Sequence, residues 1–170
     1  MEEYLEQIVC ELEQTKRVNP YSISELQVLL NEQELDFAEI ERICFSVVSN
    51  LFDDRPLIEL QDNDSKILWY DYLKLQIYVF LKGQGNLGED HSLLAAGSAL
   101  VVENIASDIF SKFGVNDKLI PLVVSLVLCV AVKVSSSAWC SYFYDEQVRG
   151  SERLKNALKE MMRENDTGEV

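Results

Sequence analysis

Apolar residues recur at helical spacing along most of this chain. Near the start, one set follows the i, i+3, i+4, i+7 positions of a single helix face, and its members are Leu5, Ile8, Val9 and Leu12. A longer set follows the same rule, and it consists of Phe37, Ile40, Ile43, Cys44, Val47, Val48 and Leu51. Long alternating runs of Val, Ile and Thr between turn residues do not occur in the sequence. The pattern therefore predicts an all-α protein.

Start and stop signals divide the pattern into separate helices. Ser22, with Glu25 three residues later, forms a capping box that predicts a helix start. Asp36 is placed to cap the next helix, and Ser151 begins the last one. Gly83 follows a run rich in Leu, Ile, Trp and Tyr, at the position where glycine commonly ends a helix. We expect a bundle of about six or seven helices.

The most apolar segment, residues 119–132, carries no charge. Beyond it, apolar and small residues continue to Tyr144 and are interrupted only by Lys133. A helix that is apolar on every side must be buried in a core, against a partner or in a membrane. We predict one central apolar helix over about 118–147, with the three serines at 135–137 as the place where it could bend.

Three placements of this apolar segment are consistent with the sequence. Residues 119–132 give about 21 Å of helix, whereas a bilayer span needs about 20 apolar residues. Extension to Tyr144 supplies the length, but it places Lys133 near the middle at a cost of about 3 kcal/mol. We therefore favour a core helix over a membrane-associated segment or a homo-oligomer interface. The candidate residues for those two alternatives are Leu119, Leu122, Val123, Leu126, Val127, Val130 and Trp139.

Negative charge is concentrated in the first half of the chain. The formal net charge is −14, and residues 1–91 hold 19 acidic and 7 basic residues, a net charge of −12. Such a charge repels phosphate backbones, so direct nucleic-acid binding is not expected. It suits a protein partner with a basic surface, although a solvated acidic surface that only keeps the chain soluble gives the same pattern.

Eight residues are candidates for such a partner interface. Six are glutamates of the acidic half, and two are aromatic residues that could anchor a partner or pack in the core. They are Glu6, Glu13, Glu32, Glu34, Glu39, Glu41, Trp69 and Tyr72.

No residue pattern predicts a catalytic, metal or cofactor site. His91 is the only histidine and stands in a predicted loop. Residues 62–64 match the start of a calcium loop, but Ile67 and Leu73 stand where an EF-hand needs glycine and glutamate. Residues 83–88 match a GxGxxG pattern, yet they follow an apparent helix rather than a strand. We expect no enzyme activity and no cofactor.

The cysteines and the first residues favour a cytoplasmic protein. Cys10, Cys44, Cys129 and Cys140 form no CxxC pair and sit in helical patterns, as free thiols do in a reducing compartment. The first residues are acidic and lack the basic and apolar regions of a secretory signal.

These observations predict a single helical domain over residues 1–165. It comprises an acidic amphipathic half (1–82), a loop (83–91), a neutral hydrophobic half (92–150) and a C-terminal amphipathic helix (151–164), and a frayed tail follows at 165–170. The leading hypothesis is a non-enzymatic protein–protein interaction module, such as an adaptor, an inhibitor or immunity-like protein, or a subunit of a larger assembly. It would present an acidic helical surface to its partner. The alternative is a membrane-associated small effector or anchor that uses residues 119–144.

Overall fold

A computed structural model of the chain describes residues 2–32, 36–52, 68–83, 91–114 and 118–167. Over these ranges it contains eight α-helices, one π-helical segment and no strand, so the predicted all-α class is confirmed. The helices are α1 (Glu2–Gln14), α2 (Pro20–Asn31), α3 (Phe37–Phe52), α4 (Trp69–Gly83), α5 (His91–Phe113), α6 (Ile120–Val134), α7 (Ser136–Phe143) and α8 (Glu152–Thr167). The π-helical segment, Tyr144–Val148, directly follows α7.

The apolar helix α6 lies at the centre of the fold. It contacts α1, α3, α4, α5 and α7. Of the residues proposed for a membrane or oligomer segment, five are buried in the core, namely Val123, Leu126, Val127, Val130 and Trp139. Leu119 and Leu122 are half-buried. The chain itself therefore covers most of the apolar surface that the sequence left open.

The helix expected over 118–147 is divided at Ser135. This residue has φ 123° and ψ 120°, which ends α6, and its hydroxyl accepts a hydrogen bond from the Ala138 amide at 3.4 Å, which caps α7. The axes on the two sides of the break differ by 109°. Serine hydroxyls compete with the helix for backbone hydrogen bonds, which explains why the break falls in the serine run. This division also gives one helix more than a continuous segment would.

No helix in the described ranges is by itself both long and apolar enough to cross a membrane. Only α6 taken together with the segment from Ser136 to Val148 reaches that length and hydropathy, as a pair bent by 109°.

Replacement of Ser135 should separate backbone strain from capping. A positive φ is costly for a residue with a Cβ, and glycine as a helix cap costs only a few tenths of a kcal/mol. We expect Ser135→Gly to raise the free energy of unfolding by about 1 kcal/mol and Ser135→Val to lower it by at least that amount. Chemical denaturation of both variants measures the difference. Equal stability of the two variants would contradict the strained conformation.

Two of the three predicted helix starts are confirmed. The Asp36 carboxylate accepts a hydrogen bond from the Ala38 amide at 3.0 Å, and the Ser151 hydroxyl accepts one from the Leu154 amide at 3.3 Å. The capping box at Ser22 is wrong, because α2 begins earlier and Asn19 is its cap. Proline at the first position of α2 fixes a helical φ there and leaves no amide to satisfy, so the helix starts before the serine.

Several sequence-based predictions fall outside the described residues. Glu34, the motif at 62–64 and residues 84–90 of the predicted loop belong to this group. So do residues 168–170 of the predicted tail, whereas α8 itself continues to Thr167.

Candidate functional site

The outer face of α1 carries four exposed glutamates. The helix turns Leu5, Ile8, Val9 and Leu12 inwards, where they are buried against α2 and α6. Because the glutamates occupy the remaining positions of the same 3.6-residue repeat, they face solvent. The exposed ones are Glu3, Glu6, Glu11 and Glu13.

Basic residues do not neutralise this face. Over the described ranges, no lysine or arginine nitrogen lies within 4.0 Å of a carboxylate oxygen of Glu3, Glu6, Glu11 or Glu13. Within the described ranges, the one side-chain hydrogen bond to these carboxylates comes from Gln7, whose amide donates to Glu11 at 3.3 Å. The acidic face of α1, as we call these four glutamates, therefore presents four carboxylates that have no ion-pair partner among the described residues.

Two acidic residues on α2 and α3 are already paired with an arginine. Arg42 forms salt bridges with both Glu25 and Glu39. Its hydrogen bond to Glu39 holds the pKa of that carboxyl below its usual value. Glu39, a predicted interface residue, is exposed but already paired, so it offers a partner less free charge than the α1 glutamates do.

A groove runs between α1 and α2 and reaches the end of α6. Its volume is about 520 Å³. Glu6 and Glu13, both predicted as interface residues, line it together with Lys133 of α6. Apolar side chains at the base of the groove come from Leu5, Val9 and Leu30, and the remaining lining residues are Cys10, Gln27 and Asn31. We call this feature the α1–α2 groove.

A second groove lies on the other side of α1, against the start of α6. It has a volume of about 480 Å³ and is lined by Glu11, Lys118 and Leu122 among others. Tyr4 donates a hydrogen bond to the Ser125 hydroxyl across the helix pair at 3.5 Å. Helix α1 thus stands as a ridge with a groove along each side.

The turn that connects α1 to α2 is held by the end of α3. The Asn50 carboxamide oxygen accepts a hydrogen bond from the Asn19 amide at 2.8 Å. Arg17 donates to the Leu51 carbonyl at 3.2 Å. These contacts fix where α1 lies relative to α2, and hence the shape of the groove between them.

The other predicted interface residues are scattered. Glu32 is exposed at the end of α2, whereas Glu41 is partly covered and bound to a lysine. Trp69 and Tyr72 are core residues in this structure: Trp69 is 1% exposed and packs edge-on against Phe52. The structure therefore supports the core alternative for both aromatic residues and leaves them no contact with a partner.

A buried ion-pair network joins α3, α4 and the π-helical segment. The Lys74 side chain is 4% exposed, and its ammonium lies 3.1 Å from Glu41, 2.5 Å from Gln147 and 3.5 Å from Asp71. Gln147 also donates to Glu41 at 2.9 Å, which closes a triangle of contacts. The Tyr70 and Phe143 rings stand 4.8 and 5.5 Å from the same ammonium.

This network has the features of a structural element. The Lys74 ammonium donates hydrogen bonds to Glu41 and Gln147, and the Asp71 carboxylate lies within ion-pair distance at 3.5 Å. The Lys74 head group is thus enclosed by protein oxygen atoms and aromatic rings. The neighbouring Tyr70 hydroxyl is buried without a hydrogen-bond partner, and burial raises its pKa well above the ordinary value, which keeps it neutral.

Comparison of the chain with family models, curated proteins and solved structures found no match.

In the part of the chain that the structure describes, no three or more His, Cys, Asp or Glu side chains are grouped so that they could hold a metal ion. The features with accessible chemistry are the acidic face of α1 and the two grooves beside it.

Sequence reasoning missed the Lys74 network because its members are far apart in the chain. Glu41 and Gln147 lie 33 and 73 residues from Lys74. The available signal was a single lysine inside the apolar run of α4, since a charge at such a position must find a partner.

The buried thiols should make stability fall at alkaline pH. Burial raises the pKa of Cys44 and Cys129 from the ordinary 9.0 to about 12. Between these values the unfolded thiol is ionised while the folded one keeps its proton, so stability is present below pH 9 and is lost as the pH rises towards 12. We expect a slope of about 1.4 kcal/mol per pH unit for each thiol.

Urea unfolding at about pH 8 and about pH 10.5 tests this dependence. Cys44→Ala should reduce the alkaline loss by the share of one thiol, while Cys10→Ala, at an exposed cysteine, should not change it. A pH profile that Cys44→Ala leaves unchanged would contradict the burial effect.

Proposed function

We propose that this protein is a non-enzymatic protein–protein interaction module that binds a basic partner protein through the acidic face of α1. The observation that carries the proposal is the set of four exposed glutamates on one helix, none of which has a lysine or arginine nitrogen within 4.0 Å in the described ranges. Unpaired surface charges raise encounter rates and select partners of opposite charge.

The position of this face also suits binding. The helix that carries it is anchored in the core by Leu5, Ile8 and Leu12, so the carboxylates are displayed on a firm base. Little conformational freedom is then lost when a partner binds, which favours affinity.

A membrane-associated effector or anchor has less support. The residues that would contact lipid are those of α6 and α7, and most of them are buried among the other helices. Insertion would require these helices to leave the core. The roles of an adaptor, an inhibitor or a subunit of a larger assembly require no such rearrangement of the fold.

We also propose a cytoplasmic setting. Its support is that all four cysteines lie in described helices as free thiols, with three of them buried. Free thiols persist in reducing compartments and tend to be oxidised elsewhere.

The test uses two charge-matched triple variants in affinity capture from the native host. One changes Glu6, Glu11 and Glu13 to glutamine, and the control changes Glu103, Glu146 and Glu160, which are also exposed. The proposal expects a partner retained by the wild type and the control, and lost from the α1 variant and in about 0.5 M salt. Equal capture by both variants, or capture that salt does not weaken, would refute it.

A further inference from the structure

The two carboxylates of the α1–α2 groove are spaced like one face of a helix. Glu6 and Glu13 lie seven residues apart on α1, which is two helical turns or about 10.5 Å. Both line the same groove. A partner helix lying along α1 has its own residues at the same interval, so basic side chains seven residues apart can meet both carboxylates.

The base of the groove adds an apolar contact between the two charges. Leu5, Val9 and Leu30 line it and still retain 4%, 7% and 8% of their surface. Val9 stands between Glu6 and Glu13 along α1. An apolar side chain three or four residues after the first Lys or Arg of a partner helix would contact Val9.

The shape of the groove decides how a helix would fit. The groove is open to solvent along the surface between α1 and α2 and does not enclose a cavity. A helix therefore rests along the groove and inserts the side chains of one face. This is the way amphipathic helices bind grooves in general.

Lys133 gives the groove a charge pattern rather than uniform acidity. It lines the same space, and no carboxylate oxygen in the described ranges lies within 4.0 Å of its ammonium. Its positive charge disfavours a third Lys or Arg of the partner at this position and favours a carboxylate or the carbonyl end of a partner helix. A uniformly basic peptide fits this pattern less well than an amphipathic one.

We infer that the α1–α2 groove is the docking site for one amphipathic helix of a basic partner protein, with two Lys or Arg residues seven apart and an apolar residue between them. The inference rests on the proposed function and names its site and the pattern of its partner. A second copy of this chain does not supply that pattern, because no two of its basic residues are seven positions apart.

The experiment selects helical peptides from a randomised display library on the intact protein at about 0.15 M salt. We expect the enriched peptides to carry the paired bases and the apolar residue. Their binding should weaken about tenfold when Glu6 and Glu13 are both changed to glutamine. The matched control changes Glu3 and Glu11 to glutamine, which removes the same charge from the same helix outside the groove.

Chemical modification of Cys10 tests independently whether the peptide binds in the groove. Cys10 lines the groove and is the exposed one of the four cysteines. A bound peptide should slow its modification by a thiol reagent at least severalfold.

Four outcomes decide between the two proposals. Loss of binding in the Glu6/Glu13 variant alone, with protection of Cys10, supports both. If binding is lost only in the Glu3/Glu11 variant and Cys10 is not protected, the groove is not the docking site, whereas the acidic face of α1 remains the binding surface. If neither variant weakens binding, the assignment of the docking site to the groove and the proposed function are both wrong. Enriched peptides that lack paired bases overturn the groove pattern.

Discussion

Leu126→Asp should abolish the cooperative unfolding transition of this protein. Leu126 is 0% exposed on the central helix α6, so an aspartate there loses the apolar burial and places a carboxylate in the core. The lost burial is worth about 2 kcal/mol, and the buried charge adds several more. Since small domains are stable by only about 5–15 kcal/mol, we expect the folded state to be lost or nearly so. Circular dichroism during heating measures the transition.

The matched control is Leu100→Asp, on α5. This leucine is 65% exposed, so the same chemical change should shift the free energy of unfolding by no more than about 0.5 kcal/mol. A Leu126→Asp protein with the melting temperature of the wild type would show that α6 is not the core helix. Loss of membrane or partner binding in the Leu126→Asp protein without loss of stability would also show that α6 is not the core helix.

Lys74→Met should be the next most damaging change. It removes the cation from the buried network, so Glu41 keeps only its hydrogen bond from Gln147 and Asp71 loses its ion pair, while methionine keeps most of the packing volume. Loss of one member of a buried pair costs about 3–5 kcal/mol. We expect about 3 kcal/mol, because both carboxylates keep some contact with water, at 20% and 28% exposure. Urea denaturation measures the loss.

A double-mutant cycle shows whether the loss belongs to the pair. Addition of Glu41→Leu to Lys74→Met removes the stranded carboxylate as well, so the double variant should be more stable than the sum of the single changes predicts, by about 1 kcal/mol or more. The surface control is Arg42→Met, at an exposed ion pair, which should leave the melting temperature nearly unchanged. Strictly additive effects would mean that Lys74 and Glu41 act independently.

Helical periodicity was sufficient to predict the fold class. The apolar sets of α1 and α3 are buried in the structure except for the partly buried Phe37, because each set follows one helix face. The caps at Asp36 and Ser151 were also readable, since the hydrogen bond that each makes is local. The same argument placed Glu6 and Glu13 on the polar face of the first helix, where the structure has them.

The features that sequence could not supply depend on which elements meet. The Lys74 network requires α3 and the π-helical segment to approach α4, and no local pattern specifies that approach. Trp69 shows the same limit, because a large aromatic residue suits a core and an interface equally well until its neighbours are known. The α1–α2 groove likewise depends on contacts between distant elements, among them the hydrogen bond from Arg17 to the end of α3.

The π-helical segment holds one residue more than an α-helical turn would. Its wider turn is closed by the Arg149 amide, which donates to the Tyr144 carbonyl at 2.8 Å across five residues. Removal of one residue between Tyr144 and Gln147 would leave four residues in this turn, which is the number that an α-helical turn closes, so Val148 would keep nearly its direction towards the core. The same deletion inside α7 or α8 would rotate every later side chain by about 100°. We therefore expect this segment to tolerate the loss of one residue better than the helices on either side of it.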